Sequence, residues 1–276
     1  IYFEYNEVFN SLTDGAHDAG TMHNGRRITN EDSEVRYNYF HNLNPNSLAV
    51  LYEDDHNPCH KIHGNIFYKT GRAVFIHGGR YNDVYNNIMI YPSREDAAMV
   101  GFQTASKYTW DPDNKASINC DWAWWNDMCK LDASTPLWLE KYPRMNEMMK
   151  TGYVFSPEHS SAYNNVAIYE NTAPADIVTV ATDIPEGDVD VHDNYSTTED
   201  IGFYDMKNEN FALNEDARIY KILPTFENPH FEKMGLYLNE YRTSFENRGA
   251  VNLISPIGKE ENVEAREVEF RWSSDR

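Results

Sequence analysis

Short apolar segments, each interrupted by an asparagine, recur along the chain. Six of them align on one position, occupied by Asn6, Asn38, Asn65, Asn87, Asn165 and Asn194. Mostly apolar residues stand three positions earlier: Phe3, Val35, Ile62, Val84, Ala162 and Val191. A second set stands two positions later: Val8, Phe40, Phe67, Met89, Ala167 and Ser196. Because asparagine tolerates left-handed backbone better than most residues with a side chain, we predict a strand, an asparagine corner and a second strand in each unit.

The spacing of these units favours a parallel β-solenoid. Successive asparagines lie 32, 27 and 22 residues apart from Asn6 to Asn87, and the last two lie 29 apart. Coils that tolerate insertions at their corners give such intervals. A further run, apolar first and polar last, occurs at 20–26, 49–55 and 73–79. Leucine-rich and helical repeats need a leucine periodicity that is absent, so we predict an all-β, right-handed parallel β-helix.

Several longer stretches match a known family pattern: VRYNYFHNL, the LYEDD run, GNIFYKTGRAVFIHGGRYNDVYNNIMI, PLWLEKYP and NFALNEDARIYKILPTFENPHFEKMGLYLNEYR. Residues 1 to about 248 thereby resemble the right-handed parallel β-helix repeat proteins that include glycoside hydrolase family 141, known for α-L-fucosidase and xylanase activities. The resemblance implies a pectate-lyase-like fold and carbohydrate chemistry. It also implies a secreted protein that works outside the cell on a polysaccharide or glycan.

One interval is far longer than a coil. Asn87 and Asn165 are 78 residues apart, so we predict that about residues 91–161 leave the solenoid as a partly helical insertion. In this insertion, Ser134 or Thr135 is placed to cap a helix with Pro136 in its first turn. An apolar stripe of that helix would comprise Leu137, Met145, Met148 and Met149. The tryptophans at 122, 124 and 125 either stack on a sugar or pack the insertion onto the solenoid.

Both ends of the chain resemble parts of larger units. Residues 1–248 are assigned to the β-helix, and residues 249–276 resemble the first two strands of a fibronectin type III or immunoglobulin-like domain, a truncated β-sandwich. At the other end, Tyr2 to Asn6 already reads as mid-coil and calls for an earlier coil or a cap. No signal peptide is visible, so we expect a trimmed chain with further domains of the same polypeptide at both ends.

Charge and composition limit the classes of partner that the protein is expected to bind. The chain of 276 residues has 24 Lys and Arg against 44 Asp and Glu, a formal net charge of −20. Nucleic-acid binding needs a basic surface, so this class is not expected, nor is charge-driven binding to anionic membranes. No stretch approaches the roughly 18 apolar residues of a spanning helix, so no membrane insertion is predicted. Of three cysteines, Cys120 and Cys129 are a candidate local disulfide, which leaves Cys59 without a partner.

The third run of each coil carries the candidate chemistry. Aligning these runs on their first alanine or glycine puts Asn24, Glu53 and His77 in one column. With Tyr52 facing the core, strict alternation sends Glu53, Asp55 and His77 to the outer face. The acidic run 53–55 therefore predicts a cluster of carboxylates on one face of the solenoid.

Glycoside hydrolysis needs two carboxyl groups, one as proton donor and one as nucleophile or base. We predict Asp18 and Asp55 as the pair, with Asp54 and Glu53 as substitutes. Crowding in the 53–55 run is expected to raise a carboxyl pKa, which keeps one group protonated. The residues expected to contact substrate are Glu53, His77, Arg80, Trp124 and Trp125.

No cofactor is expected, and calcium is the metal that the composition would suit. Its hard oxygen ligands are abundant in this region, at Asp14, Asp18, Glu53, Asp54 and Asp55. The histidines are spaced too irregularly for a zinc template. A glycoside hydrolase is thus the leading hypothesis. A polysaccharide lyase of the same fold, with a His or Arg base, and a non-catalytic acidic matrix or adhesion module that binds glycans are the alternatives.

Overall fold

The computed structural model of the protein describes residues 1–12, 17–25, 31–94, 98–105, 110–111, 116–117, 135–151, 156–236, 251–255 and 271–274. Two compact units divide the chain, Ile1–Gly235 and Leu236–Arg276. In the described part of the chain, no helix is long and apolar enough to cross a membrane.

Three parallel sheets build the first unit, with strands numbered in chain order. Sheet A contains β1 (Tyr2–Glu4), β4 (Ser33–Arg36), β7 (His60–His63), β10 (Asp83–Tyr85), β15 (Ser160–Tyr163) and β18 (Val189–His192). Sheet B contains β2 (Glu7–Phe9), β5 (Tyr39–His41), β8 (Ile66–Tyr68), β11 (Ile88–Ile90), β16 (Val166–Ile168) and β19 (Tyr195–Thr197). Sheet C contains β3 (Gly20–Gly25), β6 (Ala49–Asp54), β9 (Val74–His77), β12 (Val100–Gln103) and β17 (Val178–Val180). The chain visits sheets A, B and C in turn, which confirms a parallel β-helix.

The predicted register of sheets A and B is confirmed. In sheet A, Phe3, Val35, Ile62, Val84, Ala162 and Val191 lie opposite one another in successive strands. In sheet B the matching row is Val8, Phe40, Phe67, Met89, Ala167 and Ser196. Most of these side chains fill the core between the sheets, where Phe40 and Phe67 stack with ring centres 5.3 Å apart. Burying each large apolar side chain of this kind stabilises the fold by about 1.5–3 kcal/mol.

The six aligned asparagines form a continuous ladder along the solenoid. Each backbone N–H donates to Oδ1 of the next asparagine, at 2.9–3.2 Å. Each Nδ2 donates to the same Oδ1 at 3.0 Å. The four central members, from Asn38 to Asn165, are fully buried, so the ladder satisfies polar groups that would otherwise be buried without partners.

The left-handed backbone of each corner lies one residue earlier than predicted. None of the six ladder asparagines has a positive φ. The residues just before them do, with φ between 50° and 64°: Tyr5, Tyr37, Gly64, Asn86, Asn164 and Asp193. The chain bends at that residue, and the asparagine that follows keeps its amide inside, in reach of the neighbouring coils. The corner thus selects asparagine for hydrogen bonding and not for backbone freedom.

The outer face of sheet B is covered by the end of the first unit. A hairpin of β20 (Phe203–Asp205) and β21 (Asn210–Leu213) precedes the short helix α3 (Ile219–Ile222), and 3-10 turns occupy Met206–Asn208 and Phe231–Lys233. Apolar residues from these elements pack on outward-facing residues of sheet B and form a second core: Ile66, Ile88, Ile90, Val166, Ile168, Phe203, Phe211 and Ile219 among others.

The insertion begins later than the sequence indicates. It was predicted to start near residue 91, but β12 pairs with β9 on one side and β17 on the other. The chain therefore completes sheet C before it departs. Residues 110–111 and 116–117 then form β13 and β14, a short antiparallel pair.

The predicted helix of the insertion is divided in two. Thr135 stands at the N-cap position and Pro136 opens α1 (Pro136–Lys141), while α2 (Pro143–Thr151) follows after one residue. Pro143 has no N–H to continue the first helix and ends it. The predicted stripe is divided accordingly, because Met145 and Met148 are buried whereas Leu137 is 76% exposed.

In the second unit, β22 (Val251–Ser255) and β23 (Arg271–Ser274) pair antiparallel. The pair lies in the region assigned to the second domain. Two strands are common to many folds, so the pair does not identify a β-sandwich.

Candidate active site

Aromatic rings line the outer face of sheet C. His23 lies opposite Tyr52, which lies opposite Phe75. The ring centres of His23 and Tyr52 are 4.5 Å apart, those of Tyr52 and Phe75 5.5 Å, and those of Phe75 and His77 6.0 Å. Tyr52 and Phe75 are only 4% and 6% exposed, so they support the two histidines, which are more accessible.

The predicted alignment of this face is wrong by one residue in β9. Asn24 lies opposite Glu53, as predicted, but Glu53 lies opposite Ile76 and not opposite His77. His77 consequently falls beside Asp54. The side chain of the acidic run that meets His77 is therefore Asp54, which was predicted only as a substitute for Asp18 or Asp55.

Core packing explains the shift. Leu51, Val74 and Ile76 fill the interior, where purely aliphatic side chains pack without polar atoms. Tyr52 and Phe75 then fall on the outer face, where they form a separate small cluster. Tyr52 was predicted to face the core, yet its hydroxyl needs a hydrogen-bond partner, which the outer face supplies.

The carboxylate of Asp54 is held by four donors. Its Oδ1 lies 2.8 Å from Nδ1 of His77 and its Oδ2 lies 3.1 Å from Nε2 of His23. The Tyr52 hydroxyl also hydrogen-bonds to this carboxylate. The backbone N–H of Asp55 donates to Oδ1 at 2.9 Å. Asp54 is thus the centre of the polar cluster, and its side chain is 17% exposed.

These contacts keep Asp54 ionised. Partial burial acts to raise its pKa, but the hydrogen bonds from His77, Tyr52 and His23 together outweigh burial and hold the pKa well below the usual aspartate range. Crowding in the 53–55 run was expected to raise a carboxyl pKa, and for Asp54 this expectation is wrong. Burial, and then the contact with Asp54, raise the pKa of the Tyr52 hydroxyl, so Tyr52 stays a donor.

Asp54→Asn is expected to destabilise the protein at neutral pH and to have less effect in acid. The pKa of Asp54 is lower in the folded than in the unfolded chain, so its contribution is present above the ordinary value of 3.8 and is lost as pH falls below it. Denaturation midpoints of wild type and variant, followed from neutral pH to about pH 2, should converge. The exposed Asp190→Asn is the control; a constant gap for Asp54→Asn would contradict the assignment.

At Asp55, just after β6, the side chains no longer alternate between the two faces of the sheet. Its φ of 42° is in the left-handed region, which costs about 1–2 kcal/mol for a residue with a side chain. In an extended chain, consecutive side chains point to opposite faces. Here one oxygen of Asp54, one of Asp55 and a nitrogen of His77 lie within 4.8 Å of one another. The turn at Asp55 thus places two consecutive carboxylates beside one imidazole.

Two carboxylates and an imidazole are also a possible metal-ligand set. Calcium prefers oxygen ligands, so the nitrogen of His77 makes this set a poor fit for it; a mixed nitrogen and oxygen set suits transition metals better. Of the acidic residues named for calcium, only Asp54 and Asp55 fall in this group; Asp14 lies outside the described residues. His77 is already bonded to Asp54, so the cluster is stable as a hydrogen-bonded group.

Glu53 does not lie on the outer face, where it was predicted. It is 1% exposed and accepts hydrogen bonds from Asn57 and, at 3.2 Å, from Nδ2 of Asn24. Nδ1 of the buried His60 lies 3.6 Å from the same carboxylate. In β6, Leu51 faces inward and Tyr52 outward, opposite to the predicted alternation, so Glu53 also faces inward and does not reach a substrate on the outer face.

Arg80 is likewise engaged inside the structure. Its side chain is 3% exposed and pairs with Glu158 at 2.8 Å and with Glu147 of α2 at 3.3 Å. The Tyr81 hydroxyl donates to Glu147 at 2.6 Å. Arg80 was predicted to orient substrate, but these contacts make it an anchor for the helical part of the insertion.

Of the remaining predicted residues, some lie in the described part of the chain and the others lie outside it. Asp18 precedes β3 and is exposed, close enough for its charge to act on Tyr52. Trp124, Trp125, Cys120 and Cys129 lie outside the described residues. Cys59 is a buried free thiol, and burial raises its pKa to about 12.

The turn after His77 depends on Gly79. Its φ is 82°, and a Cβ there would lie 2.3 Å from the carbonyl oxygen of Asn57. Gly187 has a similar φ of 92° with nothing within 4 Å, so it is a matched control. We expect Gly187→Ala to cost about 1–2 kcal/mol from backbone strain alone. Gly79→Ala should cost clearly more by chemical denaturation; equal costs would show that the close approach is relaxed easily.

No protein-family model, curated protein or solved structure matches the chain. The fold class thus stands on the strand pairing, and the resemblance to glycoside hydrolase family 141 stays a prediction.

Proposed function

We propose that the outer face of sheet C binds a glycan and that Asp54 and Asp55 hydrolyse one of its glycosidic bonds. The observation that carries this proposal is the cluster itself, in which one oxygen of Asp54, one of Asp55 and a nitrogen of His77 lie within 4.8 Å of one another. Two consecutive carboxylates thereby stand beside one imidazole. The glycan class comes from the sequence resemblance.

We assign the roles of the two carboxyl groups from the environment of Asp54. Asp54 is kept ionised by its donors, so it serves as nucleophile and not as proton donor. Asp55 is the second carboxyl group and supplies the proton. His23 and His77 fix the orientation of Asp54, and both are accessible enough to contact the sugar hydroxyls.

In the first step, an oxygen of Asp54 bonds to the anomeric carbon while the glycosidic C–O bond breaks, and the leaving oxygen takes the proton of Asp55. In the second step, water attacks the same carbon and passes a proton to Asp55, and the bond to Asp54 breaks. Two inversions give net retention. The short carboxyl separation favours this course, because inverting enzymes need about 6.5–9.5 Å to seat a water.

One observation favours a second candidate, a polysaccharide lyase. Asp54 engages Nδ1 of His77, which leaves Nε2 of the same ring as a proton acceptor. A histidine oriented in this way is suited to remove the proton beside a uronate carboxylate. The lyase would release an unsaturated sugar and consume no water.

Two broader proposals accompany the hydrolase assignment. We propose that the chain acts outside the cell, where polysaccharides are found, as the resemblance to family 141 implies. The β22–β23 region is proposed to begin a fibronectin type III or immunoglobulin-like domain.

The test is a panel of fucosylated glycans, xylan fragments and polyuronates incubated with the full chain. Release of reducing sugar with a retained anomer, followed by NMR, would support the hydrolase. A product that absorbs in the ultraviolet as an unsaturated uronate would identify the lyase instead. Tight glycan binding without any product would identify the non-catalytic module. Asp54→Asn/Asp55→Asn serves as the blank, since it preserves size and shape.

A further inference from the structure

Arg72 lies beside this site. Its guanidinium carbon stands 5.0 Å from the centre of the Phe75 ring, whose other neighbours are Tyr52 and His77. The cation and His77 are thus separated by a single phenyl ring. No carboxylate within the described residues pairs with Arg72, although the chain has 44 acidic residues against 24 basic ones.

The local structure makes room for this side chain. Phe75 lies opposite Gly101 in β12, and a Cβ on Gly101 would come within 3.3 Å of the Arg72 guanidinium. Glycine therefore leaves the space beside Phe75 that the cation occupies. Arg72 is partly exposed, and its Nε is buried without a hydrogen-bond acceptor in the described part of the structure. Buried donors without partners are rare in native proteins.

Two effects disfavour the charged form of Arg72. Burial and the charge of Arg94 both lower the pKa of Arg72. An anion bound to the Arg72 guanidinium would offset both effects.

We propose that Arg72 binds the anionic group of an acidic glycan, a uronate carboxylate or a sulfate ester, whose chain runs past Phe75 to Asp54 and His77. A guanidinium presents paired donors that match either group. This inference rests on the proposed glycan-binding function and names its substrate class.

The test compares binding of three probes to the full chain by calorimetry: an oligogalacturonate, a sulfated oligosaccharide and a neutral xylo-oligosaccharide. We expect an acidic probe to bind more tightly than the neutral one, with the better acidic probe showing which anion is preferred. Arg72→Gln should weaken acidic-probe binding about 10- to 100-fold and leave neutral binding unchanged. Arg72→Lys should lose part of the affinity. Lys61→Gln in sheet A removes the same charge elsewhere and should have little effect.

The outcomes separate the two proposals. Equal affinity for acidic and neutral probes, or no change in Arg72→Gln, would overturn the role of Arg72 while glycan binding stands. A preference for acidic probes that depends on Arg72, without any cleavage, would support the role of Arg72 and contradict the hydrolase. Circular dichroism and thermal unfolding of Arg72→Gln ensure that a loss of binding is not a loss of fold.

Discussion

Asp54→Asn is expected to reduce glycan hydrolysis by about 1000-fold or more and to leave the solenoid folded. The change replaces the nucleophile with a neutral amide of the same shape. An amide cannot form the bond to the anomeric carbon at a useful rate, and it also loses the charge that His23 and His77 stabilise. Initial rates with the best substrate of the panel give the measurement.

Adding a small external nucleophile distinguishes a catalytic role of Asp54 from a structural one. With Asp54→Ala, added azide can enter the space of the missing side chain and restore turnover as a glycosyl azide, whereas a merely structural role would not respond to azide. Asp190→Asn, which changes a 76% exposed carboxylate in sheet A, is the matched control and should retain full activity. Wild-type rates in Asp54→Asn would remove Asp54 from the mechanism.

Asn87→Ala is expected to cost about 3–5 kcal/mol of unfolding free energy. The side chain is fully buried and bonds to both neighbouring ladder members, Asn65 and Asn165. Its Nδ2 also lies 2.9 Å from the carbonyl oxygen of Ile62 and 3.0 Å from that of Tyr85. Alanine leaves several of these buried groups without partners.

The last ladder residue provides the comparison. Asn194 is only partly buried and bonds to one ladder neighbour, so Asn194→Ala should cost about 1–2 kcal/mol. Urea denaturation of both variants, with unchanged slopes, gives the two values. If Asn87→Ala and Asn194→Ala cost the same, the ladder would not act through burial.

The fold could be predicted because its repeat has a physical cause in single residues. Only asparagine both donates and accepts with one short amide, and each rung needs both, so the same letter recurs at every corner. The apolar rows beside it follow from burial on one face. The position of the left-handed residue could not be predicted, because Tyr, Gly, Asn and Asp all occupy it.

The site was harder to predict than the fold, because sheet C has no residue that recurs in every coil as the ladder asparagine does. Alanines at 49 and 73 suggested a register, yet the pairing of Leu51 with Val74 is shifted from it by one residue. The two faces of β6 are also exchanged relative to the predicted alternation, so Glu53 turned inward and Asp54 turned out. His23, Tyr52 and Phe75 were missed for the same reason. A signal was available in the sequence. An aromatic residue aligns with a histidine of the adjacent coil, which indicates that both side chains face outward.

The coils on either side of the long insertion pair as if it were absent, which bears on how the solenoid evolves and how it can be engineered. Asn87 and Asn165 hydrogen-bond as adjacent rungs, at 3.0 and 3.2 Å, although 78 residues separate them in the chain. The length of the segment between β12 and β15 is therefore independent of the geometry of the coils. That connection can accept an exchanged segment, and it is a natural place to graft a new domain beside an unchanged scaffold.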